Sequence, residues 1–202
     1  MTQIALPLRS GSSGPDRIII GAANAHVAQA LSEPQGWPFR TAILTGPVRS
    51  GKSLFARWFA QTGRGEAIDD AQHLPEDTLF HRWNRAQQDG MPLLIVAGQS
   101  PWNIVLPDLR SRLGAALQLE IAPPDDVMAE ELLLSLAGER GVVLGADAAA
   151  YLVPRAGRAQ ADLERLVDAI DRLTLERKAP ATQSIWRAAL DAVMGPNEPR
   201  LL

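Results

Sequence analysis

The segment Gly46-Pro47-Val48-Arg49-Ser50-Gly51-Lys52-Ser53 constrains this chain more than any other, because it has the G-x-x-x-x-G-K-S form, in which residues at fixed offsets serve one chemical task. Its surroundings agree with that task. Upstream, Thr41-Ala42-Ile43-Leu44-Thr45 is a short apolar, β-branched run ended by Gly46 and Pro47, which predicts a strand pointing into a turn. Downstream, Leu54, Phe55, Trp58 and Phe59 recur at helical spacing. A strand, a glycine-rich turn and a helix N-terminus let backbone N–H groups curl around a phosphate at the positive end of a helix dipole. Lys52 adds a full charge near the β- and γ-oxygens, and Ser53 supplies the hydroxyl that holds Mg²⁺. The segment predicts a nucleotide site built on Gly46, Pro47, Val48, Arg49, Ser50, Gly51, Lys52 and Ser53.

The rest of the chain must supply a sheet and a cover for that site. With 202 residues and 46% hydrophobic content, it can bury a core in one domain or in a domain with a small appendage. A net charge of -3 and a pI near 5.6 argue against the basic surface of a DNA-binding protein, so no direct DNA contact is expected. Without cysteine there are no disulfides or thiolate metal sites. The sequence shows neither a signal-like N-terminus nor an apolar run approaching the ~18 residues of a membrane span, which predicts a soluble, cytoplasmic protein with no membrane partner.

Ahead of the phosphate loop, Ile4, Leu6 and Leu8 are set around Pro7 behind Gln3, and Ser10-Gly11-Ser12-Ser13-Gly14-Pro15 follows as a flexible linker. An apolar peptide on a tether is either an edge strand folded back on the domain or a recognition peptide for another protein. Ile18-Ile19-Ile20-Gly21 is an apolar run stopped by glycine, and residues 22–31 read as a helix with Asn24 in its first turn. Ile19, Ile20 and Asn24 are candidates for a wall against a nucleotide base; ordinary core packing is the alternative.

Behind the loop helix only a few residues precede Ala67-Ile68-Asp69-Asp70. Asp69 and Asp70 fit, by type and order, an acid that orders the Mg²⁺ water shell and a neighbour that polarises the attacking water, although the apolar run before them is short and the pair could instead open a turn. Residues 76–88 predict a helix with Leu79, Phe80, Trp83 and Ala86 on one face, and Leu93-Leu94-Ile95-Val96-Ala97 a central strand covered on both faces. Gln99, next after that strand, either touches the γ-phosphate or its water or begins a turn. Leu106 to Leu113 forms a polar helix carrying Arg110 and Arg112, and Leu117 to Ile121 an alternating strand. Beyond Pro123-Pro124 every segment is helical: 125–139, 146–153, 160–176 and 183–194.

On these residues the chain resembles the AAA+ ATPases of the DnaA family, and within it the short Hda-type regulators of DnaA. The similarity rests on the phosphate loop, on Ile68-Asp69-Asp70-Ala71-Gln72, on Leu79-Phe80-His81-Arg82-Trp83-Asn84, on Leu106-Pro107-Asp108-Leu109-Arg110-Ser111-Arg112-Leu113, and on Glu120-Ile121-Ala122-Pro123-Pro124-Asp125-Asp126. Gln3-Ile4-Ala5-Leu6-Pro7-Leu8 matches the hexapeptide with which such regulators bind the replication sliding clamp. The resemblance implies an α/β domain with an AAA+ P-loop parallel sheet at 16–122, a helical lid at 123–202, and a clamp peptide with linker at 1–15. It implies ADP or ATP with Mg²⁺ as cofactors, the metal held by Ser53 and Asp69, and the sliding clamp and DnaA as partners.

It also implies a function: stimulating hydrolysis of DnaA-bound ATP, with Arg112 as an arginine finger inserted into the neighbour's site. A surface arginine paired with Asp108 is the plainer reading of Arg112. Three departures from the family bear on the chain's own hydrolysis. The segment before Asp69 lacks room for the usual strand and helix, so with the family's strand order 5-1-4-3-2 the lost strand is an edge one and four core strands remain. The sensor-2 arginine falls at Ala161, with Arg158 one turn earlier as a possible substitute, and the sensor-1 acid falls at Gln99. An independent ATPase and a nucleotide-independent adaptor are the alternative functions.

Overall fold

The computed structural model of the protein describes residues 5–7, 17–98 and 102–195. The chain forms two compact units, Met1–Ala122 and Pro123–Leu202.

In the first unit β1 (Ala5–Pro7) pairs antiparallel with β2 (Arg17–Ile19), Ala5 opposite Ile19 and Pro7 opposite Arg17. The described part of the N-terminal hexapeptide is thus an edge strand; Gln3, Ile4 and Leu8 lie outside the described residues. Helix α1 (Ala25–Ser32) starts three residues later than the apolar pattern suggests, because residues 22–24 form the turn that Asn24 closes.

The core of this unit is a four-stranded parallel sheet in the order β4-β5-β3-β6, made of β3 (Thr41–Thr45), β4 (Glu66–Ile68), β5 (Leu93–Val96) and β6 (Leu117–Glu120). Every residue of β3 and β5 is buried, which is why both read as unbroken apolar runs. Alternate side chains still go to opposite faces. Ala42, Leu44, Leu94, Val96 and Leu119 join Val27 and Leu31 of α1 and Phe55 and Phe59 of α2 (Lys52–Gln61). Ile43, Ile68, Leu93 and Ile95 join Leu79 and Trp83 of α3 (Glu76–Asp89) and Leu109 and Leu113 of α4 (Pro107–Gly114). The result is a three-layer α/β/α domain with the phosphate loop at the C-terminal end of β3, where ligands of such sheets bind.

The short connection between α2 and Asp69 is also explained. Helix α2 ends at Gln61 and β4 begins at Glu66, so the chain crosses directly to the far side of β5. Two apolar residues suffice for β4 because it is an edge strand: Ile68 is buried, whereas Glu66 and Ala67 are half-buried. Gly65 permits the crossing, since a Cβ there would collide with the Pro92 carbonyl oxygen and the Phe59 ring. Among the described residues the sheet therefore has four parallel strands, the number expected from the short connection ahead of Asp69.

The second unit consists of α5 (Asp126–Glu139), α6 (Ala146–Ala156), α7 (Gln160–Arg177) and α8 (Gln183–Met194) around Leu133, Leu152, Leu163, Leu166, Ile170 and Ile185, all buried. Asp125 caps α5 by accepting the Met128 N–H at 2.8 Å, and Arg140 of the α5 end pairs with Asp168 of α7 at 2.7 Å. Helix α6 runs three residues past Val153 despite Pro154, because a proline in the last turn removes one bond of the ladder and leaves the rest intact.

Candidate nucleotide site

The phosphate loop is shaped by glycine at both ends. Gly46 has φ 150°, and a Cβ there would lie 3.0 Å from the Ile121 carbonyl oxygen and 3.1 Å from Ser50 Oγ. Gly51, at φ 90°, is the N-cap of α2 and provides no side-chain acceptor for the first-turn N–H groups. An uncapped helix N-terminus facing a tight loop favours an anion. Among the described residues the buried Ser50 Oγ has no hydrogen-bond partner, which makes it a second polar atom of the loop suited to a ligand. Val48 is exposed, Arg49 takes the left-handed conformation at φ 62°, and Ser53 is exposed in the first turn of α2.

Lys52 reaches back over the loop, and its Nζ donates to the carbonyls of Gly46 at 2.8 Å and Pro47 at 2.7 Å. Burial holds its ammonium below the usual lysine range, while the carboxylates of Asp69 and Asp70 pull it back up. The loop lysine and the acidic pair thus share one electrostatic site. Asp69 and Asp70 stand on a turn after β4; Asp70 is left-handed at φ 50°, and its N–H donates to Asp69 Oδ1 at 3.0 Å.

Gln72, which sequence reasoning assigned no role, ties this turn to the sheet. Its Oε1 accepts the Gly98 N–H at 3.0 Å and its Nε2 donates to Asp70 Oδ1 at 3.4 Å. The Gly98 carbonyl in turn accepts the Gly46 N–H at 3.2 Å. Gln99, the residue after Gly98, lies outside the described residues.

Asn24 and Ile20 sit in front of the loop in sequence and do different things. The buried Asn24 amide is committed to its own turn, Oδ1 accepting from Gly21 N–H and Nδ2 donating to Ile19 O, each at 2.9 Å. Ile20 is half-buried against the apolar cluster under α1 and α2. The Ala122 N–H donates to Ala23 O at 3.1 Å, which fixes this turn beside the strand end that backs Gly46.

Arg112 is held by its own domain. Its guanidinium donates twice to Asp108 Oδ2, at 3.2 and 2.9 Å, and once to Asn84 Oδ1 at 3.0 Å, and it lies 4.8 Å from the Phe80 ring centre and 4.5 Å from that of Trp83. Phe80 and Trp83, read as core residues from their spacing, also serve as aromatic faces for this cation; a pairing across about thirty residues leaves no local pattern to read. Arg110 points elsewhere, donating to Ile104 O at 2.8 Å and Val105 O at 3.3 Å. In the helical unit Arg158 pairs with Asp126 at 2.5 Å.

The helix that carries both arginines is anchored from α3. Glu76 accepts the N–H groups of Val105 at 2.7 Å and Leu106 at 2.6 Å at the start of α4. These two backbone bonds, more than the nearby Arg110 charge, hold its carboxyl below the ordinary glutamate value of 4.5. A group whose folded pKa is lowered stabilises fully above the unfolded value and loses that contribution as pH falls through the folded one. Thermal denaturation between pH 7 and pH 3 is therefore expected to show a loss of stability below about pH 4.5 that is smaller in Glu76→Gln, which should also melt below wild type at pH 7. Equal pH curves for the two proteins would remove Glu76 from this role.

No family model matches the chain. Solved structures do. Domain III of the Thermotoga maritima replication initiation protein DnaA superposes with a TM-score of 0.69 at 14% identity, covering 88% of this chain and 95% of that one. The Thermotoga maritima RuvB Holliday junction branch migration motor gives 0.65 at 20% identity over 89% of this chain and 73% of that one. AMPPCP-bound DnaA from Aquifex aeolicus gives 0.60 at 17% identity over 80% and 66%. At such identities the likeness is one of fold, and the fold of this chain is a DnaA-like AAA+ fold.

Proposed function

We propose that this protein is a nucleotide-binding regulator of chromosome replication initiation, which joins the sliding clamp to DnaA and stimulates hydrolysis of the ATP that DnaA holds. The observation that carries the nucleotide part is the geometry of the phosphate loop, with glycines at both ends, an uncapped helix N-terminus and Lys52 folded back over the Gly46 and Pro47 carbonyls. Loop N–H groups and Lys52 would hold the phosphates of ADP or ATP, and the hard oxygens of Ser53 and Asp69 suit Mg²⁺. Mg²⁺, when bound, neutralises charge on the phosphate oxygens. Among the described residues no group of three or more His, Asp or Glu side chains forms a metal site of its own, so the phosphates would complete the coordination. A strong ATPase is not expected, because Ala161 stands where the resemblance calls for the sensor-2 arginine and carries no charge.

The partner assignment rests on the hexapeptide Gln3 to Leu8, and a cytoplasmic location goes with it. Among the described residues no helix is long and apolar enough to cross a membrane. Docking of the peptide on the clamp would replace its pairing with β2 and bury Leu6 and Leu8, worth roughly 3–6 kcal/mol before ordering costs. The double substitution Leu6→Ala, Leu8→Ala should abolish capture by immobilised clamp while the bulk of the fold melts as before; undiminished capture would refute the peptide assignment. The decisive test of the whole reading is capture by clamp and by DnaA, each with and without nucleotide. Binding to neither would end it.

The engagement of Arg112 by Asp108, Asn84 and two rings favours a second reading. In that reading the protein is an adaptor that brings DnaA to the clamp and lends no arginine.

A further inference from the structure

The acidic turn has a weakness of construction. It follows a strand of three residues at the sheet edge, and Asp70 occupies left-handed backbone, where a side chain is disfavoured. Something must hold the two carboxylates in register with the phosphate loop. One connection between them runs through an amide. Gln72 accepts from Gly98 with one end and donates to Asp70 with the other, while Gly98 accepts from the first glycine of the phosphate loop.

We infer that Gln72 is a positioning residue, which sets the acidic turn against the phosphate loop and makes nucleotide binding respond to Mg²⁺. The inference rests on the nucleotide-site reading above. The chemistry requires an amide. A neutral side chain that presents one acceptor and one donor at the same time satisfies the Gly98 N–H and the Asp70 carboxylate together; a carboxylate there would repel Asp70, and an alkyl group would serve neither. The length also matters, since the span from the turn to the end of β5 is bridged by a side chain with two methylenes. Asp70 is coupled onward, because its N–H holds Asp69 Oδ1 and so orients the carboxylate proposed to face the metal. Groups that orient metal ligands from outside the coordination sphere commonly control metal affinity by about 10–100-fold.

Gln72→Ala and Gln72→Glu separate the two halves of the bridge. In the protein without nucleotide, hydrogen exchange at the Gly98 amide should quicken by about tenfold in Gln72→Ala and stay near wild type in Gln72→Glu, which keeps the acceptor. Titration calorimetry with a non-hydrolysable ATP analogue, in Mg²⁺ and in EDTA, should show a Mg²⁺-dependent gain in affinity for wild type. That gain should fall about tenfold in both variants, while affinity in EDTA stays within about twofold. Rapid exchange with an unchanged Mg²⁺ gain would make Gln72 a structural brace only and overturn the inference. Equal loss of affinity with and without Mg²⁺ would overturn it too, by showing that the whole site had collapsed. If wild type binds the analogue under neither condition, the nucleotide reading itself fails and this inference falls with it.

Discussion

Lys52→Ala is expected to abolish the thermal stabilisation that ADP with Mg²⁺ confers on the wild-type protein. At a hundredfold excess over its dissociation constant a ligand adds about 2.7 kcal/mol, which for a chain of this size raises the melting temperature by about 5–10 °C. Two features make the lysine decisive. Its ammonium is already partly desolvated, so part of the cost of stripping water before meeting a phosphate has been met by folding. Its two present partners are neutral carbonyls, which a doubly charged phosphate outcompetes electrostatically. Without ligand the substitution should change stability little, because a half-buried cation is removed together with the bonds that satisfied it. A differential scanning measurement with and without nucleotide reads both effects. Absence of any shift in wild type would leave the loop without a ligand and favour the adaptor reading.

The second large effect is expected in a reconstituted assay with clamp, DnaA and ATP: Arg112→Ala should bind both partners yet lose stimulation by about 10³-fold or more, and Arg110→Ala should keep it. The socket around Arg112 decides whether this is physically reasonable. A partly exposed ion pair contributes about 0–1 kcal/mol, each contact with an aromatic face about 0.5–1 kcal/mol and the charge-assisted bond to Asn84 about 1.5–3 kcal/mol, so withdrawing the guanidinium costs roughly 2.5–6 kcal/mol. A finger that accelerates phosphoryl transfer by about 10³–10⁵ supplies about 4–7 kcal/mol. The gain is comparable to the cost of release or larger, so lending the arginine is physically reasonable. Asp108→Ala should therefore leave stimulation intact, since it only weakens the hold on the resting arginine. Should Arg112→Ala lower the melting temperature and retain full stimulation, its guanidinium serves to join α4 to α3 and the adaptor reading is correct.

The parts of the molecule readable in the sequence were those encoded by short-range chemistry. Gly46, Gly51 and Lys52 occur at the spacing of a phosphate-binding turn, and the runs at Thr41–Thr45 and Leu93–Val96 became the two fully buried strands. The strand at Glu66–Ile68 was barely legible, because an edge strand needs one buried side chain and Ile68 supplies it. Long-range pairings left no trace in the pattern. Gln72 meets Gly98 across 26 residues, Arg112 meets Asn84 across 28 and Glu76 meets Leu106 across 30, and each depends on which end of the sheet its element reaches. Asn24 illustrates the opposite error: an amide near a helix start reads equally well as a ligand contact or as a turn lock, and the structure commits both its ends to the turn.

The abbreviated β4 has a consequence for how the protein behaves among copies of itself. A strand at the edge of a sheet exposes a margin of peptide groups, and long bare margins recruit foreign strands. Here that margin is three residues long and begins with Glu66, whose carboxylate is paired with Arg82 of α3. So short and charged a border gives an incoming chain too few rungs to climb. An edge of this kind disfavours edge-to-edge pairing between copies of the domain.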